Sequence, residues 1–244
     1  MMIDRKSFVS DIVAQDYRTA DVFRRHDITY CCGGKWPLDM ACELRGLDAD
    51  KIKTELEAAT RTITIPHLID FNNWNIDFLT NYIVEIHHNY LKTSLPLTHK
   101  MLEEFVEEHR KKFSHLDELE LKFTALVKQL HSSISKEEET LFPYIRQIVH
   151  AQNAKEPYAA LLVRTLRKPV EGVMSNGHNR INDLIMEIRH LTNSYNPPEN
   201  VCTSHKVVIA KLKELDNDLV QHLYLEQSVL FPRVSAIEKE LLGY

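Results

Sequence analysis

The sequence predicts an all-α protein, in which an up-down four-helix bundle is preceded by a small helical domain that carries cysteines. The chain has 244 residues but only six glycines, well below the ordinary share of about 7%. Sandwiches, propellers and dinucleotide-binding folds need glycine in their turns, so a glycine-poor chain argues against them. Helix-like segments instead occupy residues 72–112, 116–150, 157–193 and 200–241, which suits a bundle.

The N-terminal part predicts four short helices separated by turns. They correspond to the segments RKSFVSDIVA, TADVFRRH, PLDMACEL and DADKIKTELEAA, with Asp48 or Asp50 capping the last one. Residues 61–68, RTITIPHL, contain β-branched residues and Pro66, which favour an extended linker. We therefore expect a small domain over residues 1–62 and a bundle over residues 69–244.

Composition excludes several classes of protein. The net charge of -5 gives no basic patch, so we expect no nucleic-acid partner. The N-terminus lacks the apolar stretch of a signal peptide, and no run of about 18 apolar residues occurs, which argues against a membrane span. Cys31, Cys32, Cys42 and Cys202 are too few for a disulfide framework. These features favour a soluble protein of the cytoplasm.

The second and fourth long segments form an internal repeat. The apolar seam of the second comprises Leu119, Phe123, Leu126, Leu130, Ser133, Glu137 and Leu141. With an offset of 89 residues, the fourth has Val208, Leu212, Leu215, Leu219, His222, Glu226 and Leu230. Both seams run directly into Phe-Pro. The repeat makes Glu137 and Glu226 equivalent, while His222 corresponds to Ser133.

The first and third segments each add a histidine at a similar depth. His178 lies in the seam of the third segment, and His87 lies on the apolar face that includes Ile83 in the first. These two histidines are 91 residues apart, close to the offset of the repeat. His88 is about 100° further round an ideal helix, so we interpret it as flanking this face.

Two glutamates and three histidines that converge in an apolar core indicate a metal site. An unpaired ionised carboxylate is costly to bury, and binding a cation would offset that cost. Two carboxylates can bridge two cations about 3.5–4 Å apart while imidazoles complete each coordination sphere. Mixed nitrogen and oxygen ligands in a helical bundle favour iron. The alternative is a metal-free layer of hydrogen-bonded polar groups that fixes the register of the helices.

The segment Cys31-Cys32-Gly33-Gly34-Lys35 is the second notable motif. Its glycines favour a sharp, exposed turn, and Lys35 would favour the thiolate form of a neighbouring cysteine. The pair is then either a redox or metal-handling site or simply two small residues in a helix-turn core. We interpret Cys42 and Cys202 as structural.

The stretch VFRRHDITYCCGGKWPL, followed by E-E-x-x-L-F-P and H-x-x-x-E-x-x-x-L-F-P, resembles the iron-sulfur cluster repair di-iron proteins, the RIC family. The resemblance covers nearly the whole chain. It implies a hemerythrin-like bundle that holds two iron ions joined by an oxo bridge. It also implies a cytoplasmic role in restoring iron-sulfur clusters damaged by nitric oxide or oxidants, with damaged iron-sulfur proteins as the acceptors of donated iron.

The family's ligand pattern carries over to five residues, with the two glutamates as bridges. They are His87, Glu137, His178, His222 and Glu226. One position departs from the pattern, because Ser133 stands where the family has a histidine. Either the site has one histidine fewer, or a bulge brings His131 round, or His109 is recruited. We expect weaker iron binding on that side.

The resemblance also gives the cysteines a role. Cys31 and Cys32 would receive iron or reduce the centre when the small domain docks near the bundle. The alternative function is a hemerythrin-like protein that binds or senses oxygen or nitric oxide without transferring iron. The sequence leaves open the acceptor, the electron donor, catalytic turnover and the oligomeric state, a dimer included.

Overall fold

A computed structural model describes residues 1–31, 35–62, 69–165 and 169–243. Within these ranges the chain is helical and contains no β-strand beyond a single bridge between Phe8 and Pro37. The all-α fold class is therefore confirmed. The predicted linker at 61–68 lies mostly outside the described residues, as do Cys32, Gly33 and Gly34.

The helical elements follow the order of the predicted segments. They are α1 (Val9–Gln15), α2 (Thr19–Arg25), α3 (Leu38–Glu43), α4 (Ala49–Ala59), α5 (Ile76–Tyr82), π1 (Ile83–His88), α6 (Asn89–His109), α7 (Leu116–Lys136), π2 (Glu137–Leu141), α8 (Phe142–Asn153), α9 (Ala159–Val163), α10 (Val170–Leu191), α11 (Thr203–Tyr224), π3 (Leu225–Leu230) and α12 (Phe231–Leu242). A short 3-10 turn, Phe71–Asn73, precedes α5. None of the helices in the described ranges is long and apolar enough to cross a membrane.

The chain forms two compact units. One comprises Met1–His67 with Tyr195–Lys213, and the other comprises Leu68–Ser194 with Glu214–Tyr244. The division into domains 1–62 and 69–244 stays a prediction.

Four short helices and the first turns of α11 build the first unit. Phe23 and Leu56 are fully buried and belong to its core. The Asp48 carboxylate begins α4 by accepting hydrogen bonds from the backbone N–H groups of Asp50 and Lys51, which satisfies donors that a helix start otherwise leaves without partners.

Long helices interrupted by π-turns build the second unit. The chain runs without a break from α5 through π1 into α6, from α7 through π2 into α8, and from α11 through π3 into α12. Helix α7 packs against α6 and α10, and α12 packs against α8 and α10. The four long segments predicted from the sequence thus correspond to real helices of a bundle.

Two of the π-turns have a cause in the sequence. Pro143 and Pro232 lie in the first turns of α8 and α12, directly after π2 and π3. A proline ring cannot donate to the carbonyl four residues earlier, so the α-helical ladder is interrupted there and a wider turn can form. The same explanation does not apply to π1, which no proline follows directly. Single π-turns are frequently found at functional sites.

Candidate metal centre

All three π-turns deliver a polar side chain into one buried region. His88 ends π1, Glu137 begins π2 and Glu226 lies in π3. His178 projects from α10, and His222 lies in the last turn of α11. Each of these five residues, which we call the buried centre, is at most 2% exposed.

Four members of the buried centre surround one point. His88, Glu137, His222 and Glu226 each offer a ligand atom, and these atoms all lie within 4.8 Å of one another. His88 Nε2 is 3.2 Å from Glu137 Oε2 and 3.2 Å from His222 Nε2. His222 Nε2 is 3.3 Å from Glu226 Oε1. Two imidazoles and two carboxylates so close together form a ligand set suited to a transition metal.

His178 faces the other oxygens of the same two glutamates. Its Nε2 is 3.3 Å from Glu137 Oε1 and 3.3 Å from Glu226 Oε2. Each glutamate therefore directs one oxygen towards the His88 and His222 side and its second oxygen towards His178. This is the arrangement that a bridging carboxylate requires.

The centre has an approximate internal symmetry that follows the repeat. Phe142 stacks on His88 with ring centroids 5.7 Å apart and an interplanar angle of 11°. Phe231, its counterpart in the repeat, stacks on His178 at 5.7 Å and 12°. Ser133, the counterpart of His222, is buried, and its hydroxyl has no hydrogen-bond partner in the described part of the chain.

A carboxylate outside the centre orients one of its imidazoles. His88 Nδ1 lies 2.8 Å from Glu138 Oε1, and Lys92 Nζ is 2.7 Å from the same carboxylate. Although partial burial opposes it, Lys92 and His88 hold the pKa of Glu138 below its ordinary value. An imidazole that bonds a carboxylate through Nδ1 keeps Nε2 directed towards the metal position, as is usual for metal-binding histidines.

Both neighbouring histidines of π1 are buried, and a ligand role for His87 stays a prediction. His87 is buried, but its Nδ1 lies 2.9 Å from Asp218 Oδ1 and its ring stacks on that of His222 at 5.8 Å. His88, interpreted above as flanking, belongs to the four-residue cluster instead. The reason is π1, because its wider turn puts the residue five positions after Ile83, and not four, on the face towards the centre.

The two glutamates differ in their affinity for a proton. Burial, followed by the negative charge of Glu137, raises the pKa of Glu226 well above the ordinary value. Burial opposes ionisation of Glu137 too, but hydrogen bonds from His178 and His88 hold its pKa well below the ordinary value. Burial also lowers the pKa of His222. Glu226 therefore holds a proton more tightly than Glu137 does.

The buried oxygens of the centre fit a cation. Both carboxylate oxygens of Glu226 have no hydrogen-bond partner within the ranges that the structure describes. Buried polar atoms are normally satisfied, and leaving them without partners costs free energy. A bound cation would satisfy these oxygens and displace the proton of Glu226.

Neither of the proposed substitutes for the missing histidine reaches the centre. His131 is exposed on α7. His109 Nδ1 lies 3.0 Å from the backbone oxygen of Phe105, one turn earlier on α6. The first of the three alternatives, a site with one histidine fewer, stays a prediction.

The cysteine motif has a neighbour that the sequence analysis missed. Cys31 is half-buried, and its thiol is hydrogen-bonded to that of Cys202, which lies directly before α11 in the same compact unit. Burial, with a smaller contribution from Cys31, raises the pKa of the Cys202 thiol. Cys42 is buried, as expected of a structural residue. Cys32 lies outside the described residues.

Comparison with known proteins identifies the family. Residues 80–234 match the Hemerythrin HHE cation binding domain, and residues 5–60 match ScdA_N, a Domain of Unknown function (DUF542). The chain is 32% identical over 221 residues to the iron-sulfur cluster repair protein YtfE of Escherichia coli O1:K1 / APEC, covering 91% of this chain and 93% of that protein. It is 30% identical over 245 residues to the YtfE protein of Enterobacter sp. (strain 638), covering 97% and 100%. The chain belongs to the iron-sulfur cluster repair family.

The two family matches divide the functional residues between them. All five residues of the buried centre lie within the hemerythrin match, and Cys31 lies within the N-terminal match. The resemblance to the cluster repair family is therefore confirmed over both parts of the chain. For a member of this family, a cation-binding bundle is the expected setting for the buried glutamates.

The neighbouring histidines of π1 provide a direct test of the observed register. We expect His88→Ala to weaken metal binding by more than about 100-fold, beyond the loss typical of an outer contact. His87→Ala should retain the metal with a smaller loss, since His87 acts through Asp218 and His222. Metal content of anaerobically loaded, desalted protein measures both effects, and circular dichroism checks the helical content. Loss of metal in His87→Ala with retention in His88→Ala would show that His87 is the ligand, as predicted from the sequence.

Proposed function

We propose that this protein repairs damaged iron-sulfur clusters by holding iron in the buried centre and donating it to the damaged protein. The observation that carries this proposal is the arrangement of Glu137 and Glu226, each of which directs its two oxygens at different imidazoles. The relatives are iron-sulfur cluster repair proteins, and this supplies the biological reaction that we propose. The cytoplasm is the proposed site of action, and nitric oxide and oxidants are the proposed sources of damage.

The proposed ligand set contains two iron positions. His88 and His222 would hold one ion, His178 would hold the other, and Glu137 and Glu226 would bridge them. When bound, iron supplies the transferable cation and its redox chemistry. The protein's own groups prepare for it, since Glu226 releases its proton and Glu138 holds the His88 ring in place. The ring of Phe142 covers the His88 imidazole on which it stacks.

The cysteines would act in the step in which iron leaves the buried centre. Cys31 and Cys32 would accept iron from the centre or reduce it, and soft thiolates are suitable ligands for such a step. The contact between Cys31 and Cys202 adds another thiol beside Cys31. A variant of Cys31 and Cys32 alone therefore leaves one thiol of this neighbourhood in place.

Iron transfer to an apo iron-sulfur protein tests this function. Anaerobic protein loaded with iron(II) is mixed with the apo acceptor and sulfide, and cluster formation is followed by absorbance. We expect transfer from the wild type and a large loss in the Cys31→Ala/Cys32→Ala variant, which should still contain its iron. Cys202→Ala is the matched control for removal of a neighbouring thiol.

Each outcome of the transfer assay has a separate meaning. Undiminished transfer from the double cysteine variant would remove Cys31 and Cys32 from the mechanism. Stable retention of iron by the wild type, with oxygen or nitric oxide binding but no transfer, would contradict repair by donation and favour a carrier or sensor.

A further inference from the structure

We infer that the two iron positions are unequal: the ion between His88 and His222 is retained, and the ion beside His178 is the exchangeable one. This inference rests on the proposed function, because it concerns which of the two ions is given away. It follows from three observations about the side of the centre that faces His178.

The first observation is the number of ligands. The His88 side has two imidazoles and one oxygen from each glutamate, all mutually within 4.8 Å. The His178 side has the second oxygen of each glutamate but only one imidazole. The repeat puts Ser133 where a second imidazole would be, and a neutral hydroxyl is a much weaker ligand for iron than imidazole.

The second observation concerns the neighbours of Ser133. A β-carbon built on Gly177 would lie 3.8 Å from Ser133 Oγ and 3.3 Å from Gln129 Nε2. The place where a second imidazole would lie is thus bordered by the hydroxyl of Ser133 and the amide of Gln129, and Gly177 has no side chain that could act as a ligand. Among the described residues, the group of metal-ligating side chains whose ligand atoms lie close together contains His88 and His222, so it is on the His88 side of the centre.

The third observation is access from solvent. A cavity of about 160 Å³ is lined by His178 and Phe231 together with the exposed residues Ser175, Asn179 and Gln227. His88 and His178 are both buried, but the second ring nitrogen of His88 contacts Glu138, whereas His178 lines this cavity. The side of the centre that has one imidazole is therefore the side that borders a cavity with exposed lining residues.

Release of iron(II) to a colorimetric chelator under anaerobic conditions tests the inequality. We expect two phases of similar amplitude from the loaded wild type, with rates that differ by at least about tenfold. Ser133→His supplies the second imidazole and should slow the fast phase at least about tenfold. Ser135→His, on the exposed side of the same helix, is the matched control and should leave both phases unchanged.

A second variant examines the cavity without altering a ligand. Ser175→Trp fills the entrance and should slow the fast phase, while the metal content at equilibrium stays the same. This measurement keeps the inference testable if Ser133→His does not fold.

The outcomes separate this inference from the proposed function. Two ions released at one rate, or a Ser133→His protein that behaves like Ser135→His, would overturn the inequality and leave the proposed function standing. A wild-type protein that binds no iron would instead overturn the proposed function itself.

Discussion

Replacing Glu137 with glutamine is expected to remove both cations from the centre. The carboxylate contacts His88 on one side and His178 on the other, so the substitution takes one anionic ligand from each position. Wild-type protein should contain about two irons per chain when purified anaerobically, as a carboxylate-bridged pair requires. Metal analysis by mass spectrometry and the visible spectrum measure the loss. Glutamine preserves the size of the side chain, so packing is disturbed very little.

Glu139→Gln is the matched control for this experiment. Glu139 lies two positions further along π2 and is exposed, so its variant should keep the wild-type metal content. Retention of both ions by Glu137→Gln would contradict the bridging arrangement. About one iron per chain in the wild type would mean that the position beside His178 is empty after purification.

Glu226→Leu is expected to stabilise the metal-free protein while abolishing metal binding. Glu226 is fully buried, and neither of its oxygens has a hydrogen-bond partner in the described part of the chain. Replacing such a group with an apolar side chain of similar size should raise the free energy of unfolding by about 1–3 kcal/mol. Urea denaturation of chelator-treated protein measures this difference.

The difference between the two proteins should depend on pH. Because the pKa of Glu226 is raised in the folded state, the folded wild type retains a proton that the unfolded chain releases. The stability that this proton contributes is complete below the ordinary carboxyl pKa and is lost as pH rises towards the raised value. The advantage of Glu226→Leu should therefore grow as pH increases above the ordinary carboxyl range.

Iron(II) should reverse the order of stability. A ligand that binds only the folded state stabilises it, by about 2.7 kcal/mol when present at 100 times its Kd, and the variant lacks this gain. A wild type that is more stable than Glu226→Leu without metal would show that the buried carboxyl is satisfied by its protein neighbours. No stabilisation of the wild type by iron(II) would favour the metal-free polar layer.

Much of the centre could be predicted from the sequence because it follows a repeat. The offset of 89 residues between Glu137 and Glu226 was visible in the apolar seams, and the structure brings both carboxylates together with His178 and His222. Helical periodicity was sufficient here because α7, π2, α11 and π3 keep the same register relative to each other. Because π2 and π3 occur at equivalent positions of the repeat, they change the register of both segments in the same way.

The differences arise where a single segment had to be interpreted by itself. Ideal helical spacing made His88 a flanking residue, but π1 shifts the register by one residue and brings it into the four-residue cluster, while His87 is buried as well. The separation between His88 and His178 is 90 residues, nearer the offset of the repeat than the 91 of His87, so a signal was present. The contact between Cys31 and Cys202 had no such signal, since it joins residues distant in sequence through the tertiary fold.

The π-turns also limit how the chain length can vary. Each of them accommodates an additional residue within a continuous helix. Deleting one residue from π2 would restore a regular helix and keep α7 and α8 in nearly the same rotational register, because a π-turn fits about one more residue into a turn than an α-helix does. Phe142 could then still stack on His88, but the backbone at Glu137 would lose the wider turn from which its carboxylate reaches both His88 and His178. A deletion within one of these three short stretches should therefore disturb the ligand positions more than the packing of the helices.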